Sequence, residues 1–226
     1  DRVMSEMYRH SQARGLITLS VGYPSSELFP FEAMRKTLND SLERCESRAL
    51  QYTDIAGLPE LVEQLAALSA ERGSPEDPDD IIVTSGARQG LTLAARAVLR
   101  PGDAVACEAP TFMGVLESVR SVGTRVIPIP VDSEGLDVDA FEALLGREEI
   151  RFLAMQSRCQ NPTGLDLSPA RRARLLELAR RHGFFIVEDG IYGDLRFDGT
   201  TPQSLRADAP AHVIYADSLS KTVGGG

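Results

Sequence analysis

Short runs of apolar residues alternate with longer stretches in which apolar side chains recur every three or four positions, and this alternation begins near Ile81. Ile81 to Thr84, Ala104 to Cys107, Val126 to Ile129, Phe152 to Met155, Phe184 to Glu188 and Val213 to Ala216 read as strands. Such continuous apolar runs suit strands buried on both faces. Gln89 to Leu99, Phe112 to Val122, Asp137 to Leu145 and Pro169 to His182 read as helices. Ser168 is a candidate N-cap for the last of these, with Leu175, Leu176, Leu178 and Ala179 on the buried side. Strands and helices in alternation predict an α/β fold with a largely parallel sheet and helices on both faces.

The upstream pattern differs. Gly15, Gly22, Pro24 and Pro30 break up residues 15–30, whereas Phe31 to Cys45 predicts a helix that packs through Met34, Leu38, Leu42 and Cys45. Pro59 sits well at the start of another helix, in which Leu61, Leu65 and Leu68 recur until Gly73 and Pro75 stop it. The expected division is an N-terminal arm and helical segment over residues 1–80 and a sheet-centred domain over residues 81–226.

Composition narrows the function. The chain has 226 residues, 42% of them hydrophobic, enough for a substantial core, which sets aside a disordered chain or a small disulfide-stapled scaffold. Its 33 acidic residues against 24 basic ones, a net charge of -9, argue against a surface that coats nucleic acid. Cys45, Cys107 and Cys159 are odd in number and have no CxxC spacing, which suits reduced thiols in a cytoplasmic protein. His10, His182 and His212 lack metal-ligand spacing, and no metal is expected. No apolar run reaches the roughly 18 residues that a membrane span needs, and the start has no signal-peptide layout, so neither membrane insertion nor secretion is expected. The final residues, Lys221 to Gly226, read as an interior loop, and the chain is expected to be part of a longer product.

Open α/β sheets bind ligands beyond the C-terminal ends of their strands, so the polar residues that follow the apolar runs are the ones to inspect. Ser85-Gly86-Ala87-Arg88-Gln89-Gly90 joins a strand to a helix, where exposed N–H groups and the Ser85 hydroxyl can hold a phosphate. Asn161-Pro162-Thr163-Gly164 is a good turn whose Asn side chain can donate to a ligand oxygen. Glu188 and Asp189 end an apolar strand; adjacent positions point to opposite sides, so they do not form a close carboxylate pair. Ser218-Leu219-Ser220-Lys221 offers hydroxyls and an amine to a phosphorylated carbonyl compound.

Together, SGARQG at 85–90, NPTG at 161–164, EDGIYGDL at 188–195 and SLSK at 218–221 resemble the large domain of fold-type I pyridoxal-phosphate enzymes. More narrowly, they are similar to class I/II aminotransferases of the 2-aminoadipate/kynurenine branch and to the aminotransferase-like domains of MocR regulators. The resemblance runs from Gly22 to Lys221. It implies a seven-stranded, mostly parallel sheet, a smaller C-terminal domain missing from this chain, and pyridoxal 5'-phosphate as cofactor. Lys221 would then be the internal aldimine lysine and Asp189 the partner of the pyridine nitrogen. Asn161 and Tyr192 would bond the phenolic oxygen, and Phe112 would stack on the ring. Ser85, Gly86, Ala87 and Arg88, with Ser218 and Ser220, would surround the phosphate, and Tyr52 would reach the phosphate of a second subunit in a homodimer. Gly22 and Asn161 would line the substrate.

The reaction that the resemblance implies first is transfer of an amino group between an L-amino acid and a 2-oxo acid. Another pyridoxal-phosphate reaction on an amino acid, or a non-catalytic effector-binding domain of a MocR-type regulator, also stays open. Gln156 and Arg158 stand where relatives often carry a proline and a small or polar residue, and are expected to alter the substrate side of the pocket. Arg88, where Gln is frequent, is expected to bring positive charge to the phosphate.

Overall fold

The computed structural model describes residues 2–11, 13, 15–17, 22, 24–200 and 202–224. Helices α1 (Arg2–Ser11), α2 (Phe31–Cys45) and α3 (Pro59–Glu71) precede the sheet. Then follow α4 (Ala87–Val98), β1 (Ala104–Ala109), α5 (Met113–Arg120), β2 (Arg125–Asp132), β3 (Gly135–Leu136) and α6 (Val138–Leu145). The chain continues through β4 (Ile150–Met155), α7 (Pro169–His182), β5 (Phe185–Asp189) and β6 (Val213–Ala216).

The six strands lie in the order β3-β2-β1-β4-β5-β6, and only the β2–β3 pair is antiparallel. Chain order runs outward from β1 to β2 and then returns to β4 on the other side of β1, so the strand order reverses between β1 and β4. Such a reversal splays the connecting loops apart and opens a crevice at the strands' C-terminal ends.

Helices cover both faces. Leu175, Leu178 and Ala179 of α7 and Phe141 of α6 pack with Leu153 and Ile186 on one face. Leu91 and Ala95 of α4 and Val115 and Val119 of α5 pack with Val105, Phe152 and Val187 on the other. Phe141 and Phe184 meet edge to face with centroids 5.1 Å apart. Each fully buried leucine here contributes about 1.5–3 kcal/mol. As expected, α7 is capped by Ser168, whose hydroxyl accepts the Arg171 N–H; it ends at Gly183 in the left-handed conformation, φ 74°.

Three expectations are corrected. Among the described residues the sheet has six strands, not seven. Ile81 to Thr84 is not one of them: Val83 N–H bonds the Ala56 carbonyl at 2.7 Å, but the segment enters no ladder, and a cavity of about 380 Å³ separates it from the end of β6. The unforeseen strand is β3, two residues that turn back onto β2. Finally, α2 forms over the expected residues but buries none of them: Phe31 is 70% exposed, Leu38 63% and Leu42 49%. Its apolar side finds no covering surface among the described residues.

Candidate active site

Asp189 occupies the last position of β5, and the apolar strand behind it draws it inside to 2% exposure. Among the described residues its one hydrogen bond is long, from Ile191 N–H at 3.4 Å. The charges acting on it, Asp217 and Glu188, are both negative. Burial first, and these anions second, push its carboxyl up to about 6. A buried carboxylate without a cation is costly, and the fold retains it.

Lys221 closes a short 3₁₀ turn, Leu219–Lys221, that Ser218 caps by accepting the Ser220 N–H at 3.2 Å. Its ammonium donates to the Gly22 carbonyl at 2.7 Å and lies 5.6 Å from the centroid of the Tyr192 ring. Partial burial lowers its pKa, which favours the nucleophilic free amine. Tyr192 is hydrogen-bonded to Asn161; burial raises its hydroxyl, and the charge of Asp189 adds to the effect. A Cβ on Gly22 would stand 3.4 Å from the Tyr192 hydroxyl and 3.8 Å from Lys221 Nζ, so the arm's backbone lies against both groups. Gly22, Asn161, Asp189, Tyr192 and Lys221 therefore gather in one place, although 199 positions separate Gly22 from Lys221.

A second group forms at the start of α4. Gly86 precedes the helix at φ 90°, a conformation that favours glycine, and a Cβ there would meet nothing within 4 Å. The backbone N–H groups of Ala87 and Arg88 find no acceptor among the described residues, as the first turn of a helix requires. Gly86, Ser218 and Ser220 line the same cavity of about 380 Å³, and the two serine hydroxyls are 2.8 Å apart. The Ser85 N–H bonds the Gln89 side chain at 2.6 Å. Phe112 leads into α5 and packs against the α4–α5 core. A larger cavity, about 470 Å³, lies at the opposite end of the strands among Arg96, Arg100, Asp103 and Arg151, and holds none of these residues.

Other candidates lie elsewhere. Tyr52 is 99% exposed and joins no part of the cluster. The Arg88 side chain turns outward to pair with Glu117, so its charge is already engaged. Gln156 and Arg158 are 2% and 7% exposed. The Arg158 guanidinium donates to the Pro202 carbonyl at 2.6 Å and the Tyr215 hydroxyl at 2.8 Å, which turns its terminal nitrogens to those acceptors. One residue escaped sequence reasoning altogether: Arg72, just after α3, pairs with Asp194 and, at 2.8 Å, with Asp217, next to the serine turn. Its partner is 145 positions away, and no local pattern announces it.

The family model of the class I and II aminotransferases matches residues 14–225. The chain belongs to the class I and II aminotransferase family. It is 35% identical over 228 residues to aromatic-amino-acid aminotransferase 1 of Thermococcus litoralis, covering 98% of this chain and 55% of that protein. It is 34% identical to the uncharacterized HTH-type transcriptional regulator YjiR of Escherichia coli, covering 100% of this chain and 48% of that one. Among solved structures, the kynurenine aminotransferase of Pyrococcus horikoshii superposes with a TM-score of 0.92 at 32% identity, covering 100% of this chain and 57% of that one. The chain thus spans about half the length of the curated relatives that it matches.

Pyridoxal 5'-phosphate is the cofactor of this aminotransferase family, and the residues present fit it. The unpaired Asp189 carboxylate suits a protonated ring nitrogen. The free N–H groups and open space at the start of α4 suit a phosphate.

Proposed function

We propose that this chain is the cofactor-binding part of a pyridoxal-phosphate-dependent aminotransferase that moves an amino group between an L-amino acid and a 2-oxo acid. The observation that carries the reading is Asp189, a carboxylate at 2% exposure on which only negative charges act among the described residues, beside Tyr192, whose ring Lys221 faces in turn. When bound, the cofactor supplies an electron sink for the charge left when a bond to the substrate's α-carbon breaks. Asp189 holds the proton on the ring nitrogen. Asn161 and Tyr192 hold the phenolic oxygen, and Phe112 covers the ring. The N–H groups of Ala87 and Arg88, the Gly86 cradle and the Ser85, Ser218 and Ser220 hydroxyls anchor the phosphate. Lys221, released from the Gly22 carbonyl, anchors the cofactor and then moves the proton at the substrate α-carbon.

The same reading assigns Gly22 and Asn161 to the substrate side and residues 81–226 to the cofactor-binding domain, with residues 1–80 as its arm. The family implies a homodimer, in which Tyr52, 99% exposed in this chain, would be available to a second subunit's phosphate. No helix among the described residues is long and apolar enough to cross a membrane, and we place the enzyme in the cytoplasm.

The test is the absorption spectrum of the full-length protein purified with pyridoxal phosphate, beside Lys221→Ala. A band that depends on the lysine, and that a donor amino acid converts with release of its 2-oxo acid, is the expected result. Absence of any lysine-dependent band refutes the assignment. A band that no amino acid alters moves the reading to the regulator class.

A further inference from the structure

The crevice between β1 and β4 is flanked by two loops, one carrying Phe112 and the other Asn161, and a single buried side chain joins them. Gln160 is 2% exposed. Its amide nitrogen donates to Glu108 Oε2 at 3.3 Å, near the end of β1, and to the Pro110 carbonyl at 2.8 Å, on the Phe112 loop that follows it. Its amide oxygen accepts the Thr163 N–H at 3.0 Å and the Thr163 hydroxyl at 2.7 Å, both on the Asn161 turn. A glutamine side chain has two donor hydrogens and two acceptor sites, and all four are used here. Glu108, 3% exposed, also accepts the Gln156 N–H at 2.9 Å, and the Gln156 side chain accepts the Asn161 N–H at 2.7 Å. Asn161 is thus held by its chain neighbour Gln160 and by Gln156, both tied to the same carboxyl oxygen of Glu108.

We infer that Gln160 is a positioning residue that locks the Phe112 loop and the Asn161 turn into one register across the crevice, with Glu108 as its buried anchor. This rests on the aminotransferase reading of the site, since the two loops would hold two parts of one cofactor. The residue types are specific to the task. Glutamate at 160 could not donate to both Glu108 and Pro110, and leucine would remove all four bonds, leaving the Pro110 carbonyl and the Thr163 N–H without their side-chain partner. Burial raises Glu108 to about 8 despite the two bonds that lower it, so the link is largely uncharged at neutral pH and adds no charge beside the cofactor. Hydrogen-bonded supports of this kind hold site groups to within fractions of an ångström, and small misplacements are costly.

The experiment compares full-length wild type with Gln160→Leu, Gln160→Glu and Glu108→Gln, and with Ser157→Ala as a control for stability loss elsewhere. Three readouts are taken: amide exchange over residues 156–165 without cofactor, affinity for pyridoxal phosphate, and the position of the lysine-dependent absorption maximum. Both Gln160 variants are expected to speed exchange at Asn161 and Thr163, weaken cofactor affinity by roughly tenfold or more, and shift the maximum. Glu108→Gln, which keeps an acceptor for both N–H donors, is expected to stay within about threefold of wild type, and Ser157→Ala to leave affinity and maximum unchanged. If Gln160→Leu does not fold, Thr163→Val removes one of the four bonds and is expected to shift the same readouts by about twofold. Faster exchange with unchanged affinity and maximum would reduce Gln160 to a brace and overturn the inference. Wild type without a lysine-dependent band would instead overturn the functional reading, leaving the exchange data to judge the link between the loops.

Discussion

Glu188 and Asp189 are consecutive residues at the end of β5, exposed to 0% and 2%, yet the two flanks of the strand treat them in opposite ways. Glu188 shares the α7 side with Ile186. There the Ser157 hydroxyl bonds one of its oxygens, the Leu205 N–H bonds the other at 2.8 Å, and the positive charge of Arg158 acts on it. Asp189 shares the α4 side with Val187 and has only the long bond from Ile191. Burial raises both carboxyls. What separates scaffold from site is the balance of partners: a satisfied carboxylate ties chain segments together, while an unsatisfied one is a charge held for a group outside the chain.

The largest effect follows from Asp189→Asn. Removing a charge aimed at the reacting system is expected to lower kcat/KM by roughly 10²–10³, while the cofactor-free protein melts no lower than wild type. Glu188→Ala is expected to do the reverse. Loss of a buried, bonded carboxylate leaves the Ser157 hydroxyl and the Leu205 N–H without their acceptor and Arg158 without a neighbouring negative charge, at a cost of about 3 kcal/mol, with kcat nearly unchanged per folded molecule. Steady-state kinetics and chemical denaturation of both variants decide the matter. If Asp189→Asn were the destabilised variant and Glu188→Ala the inactive one, the contrast would be inverted.

The same contrast predicts a pH dependence. Asp189 moves from an ordinary value of 3.8 to about 6 in the folded protein, so folding takes up a proton between those values. Its contribution to stability is fully present below pH 3.8 and is lost as pH rises through about 6, a loss on the order of 3 kcal/mol. Asp189→Asn does not titrate there. In the cofactor-free protein, the variant's stability relative to wild type should therefore climb between about pH 4 and pH 6 and level off above it. Urea denaturation at a series of pH values measures this, and a constant difference across the range would show that Asp189 has its ordinary pKa.

Much of this arrangement is legible in the sequence, for identifiable reasons. The α7 helix carries its own start and stop in Ser168 and Gly183, and the apolar runs of β1, β2, β4, β5 and β6 need no partner to be read. Asp189 and Lys221 stand out because polar residues that follow apolar strands need a partner, which is a chain group, a ligand or solvent. What stayed hidden depends on contacts across the chain. Ile81 to Thr84 has a strand's composition but no neighbouring ladder, and β3 is only a turn's return onto β2. The apolar stripe of α2 is real, but nothing among the described residues covers it. Arg158 reads from the sequence as a pocket residue, whereas its acceptors, Pro202 and Tyr215, lie 44 and 57 positions away. The Gln160 link spans 52 and 50 positions to Glu108 and Pro110, where no spacing rule applies.

The smallest expected effect is also the cleanest separation of the two flanks. Ser157 is 4% exposed and lies two residues beyond the end of β4, so its hydroxyl reaches Glu188 across adjacent strands. Ser157→Ala removes one donor and little volume, leaving Glu188 with the Leu205 N–H and the nearby charge of Arg158. A loss of about 1–2 kcal/mol is expected, the range for one buried hydrogen bond to a carboxyl group. Because Glu188 points away from Asp189, kcat, KM and cofactor affinity should all match wild type once the fraction folded is taken into account. A drop in kcat/KM beyond about threefold would mean that the satisfied flank transmits its packing to the unsatisfied one. The strand end would then be a single coupled unit, and the partner balance that distinguishes Glu188 from Asp189 would no longer mark where the scaffold stops and the site begins.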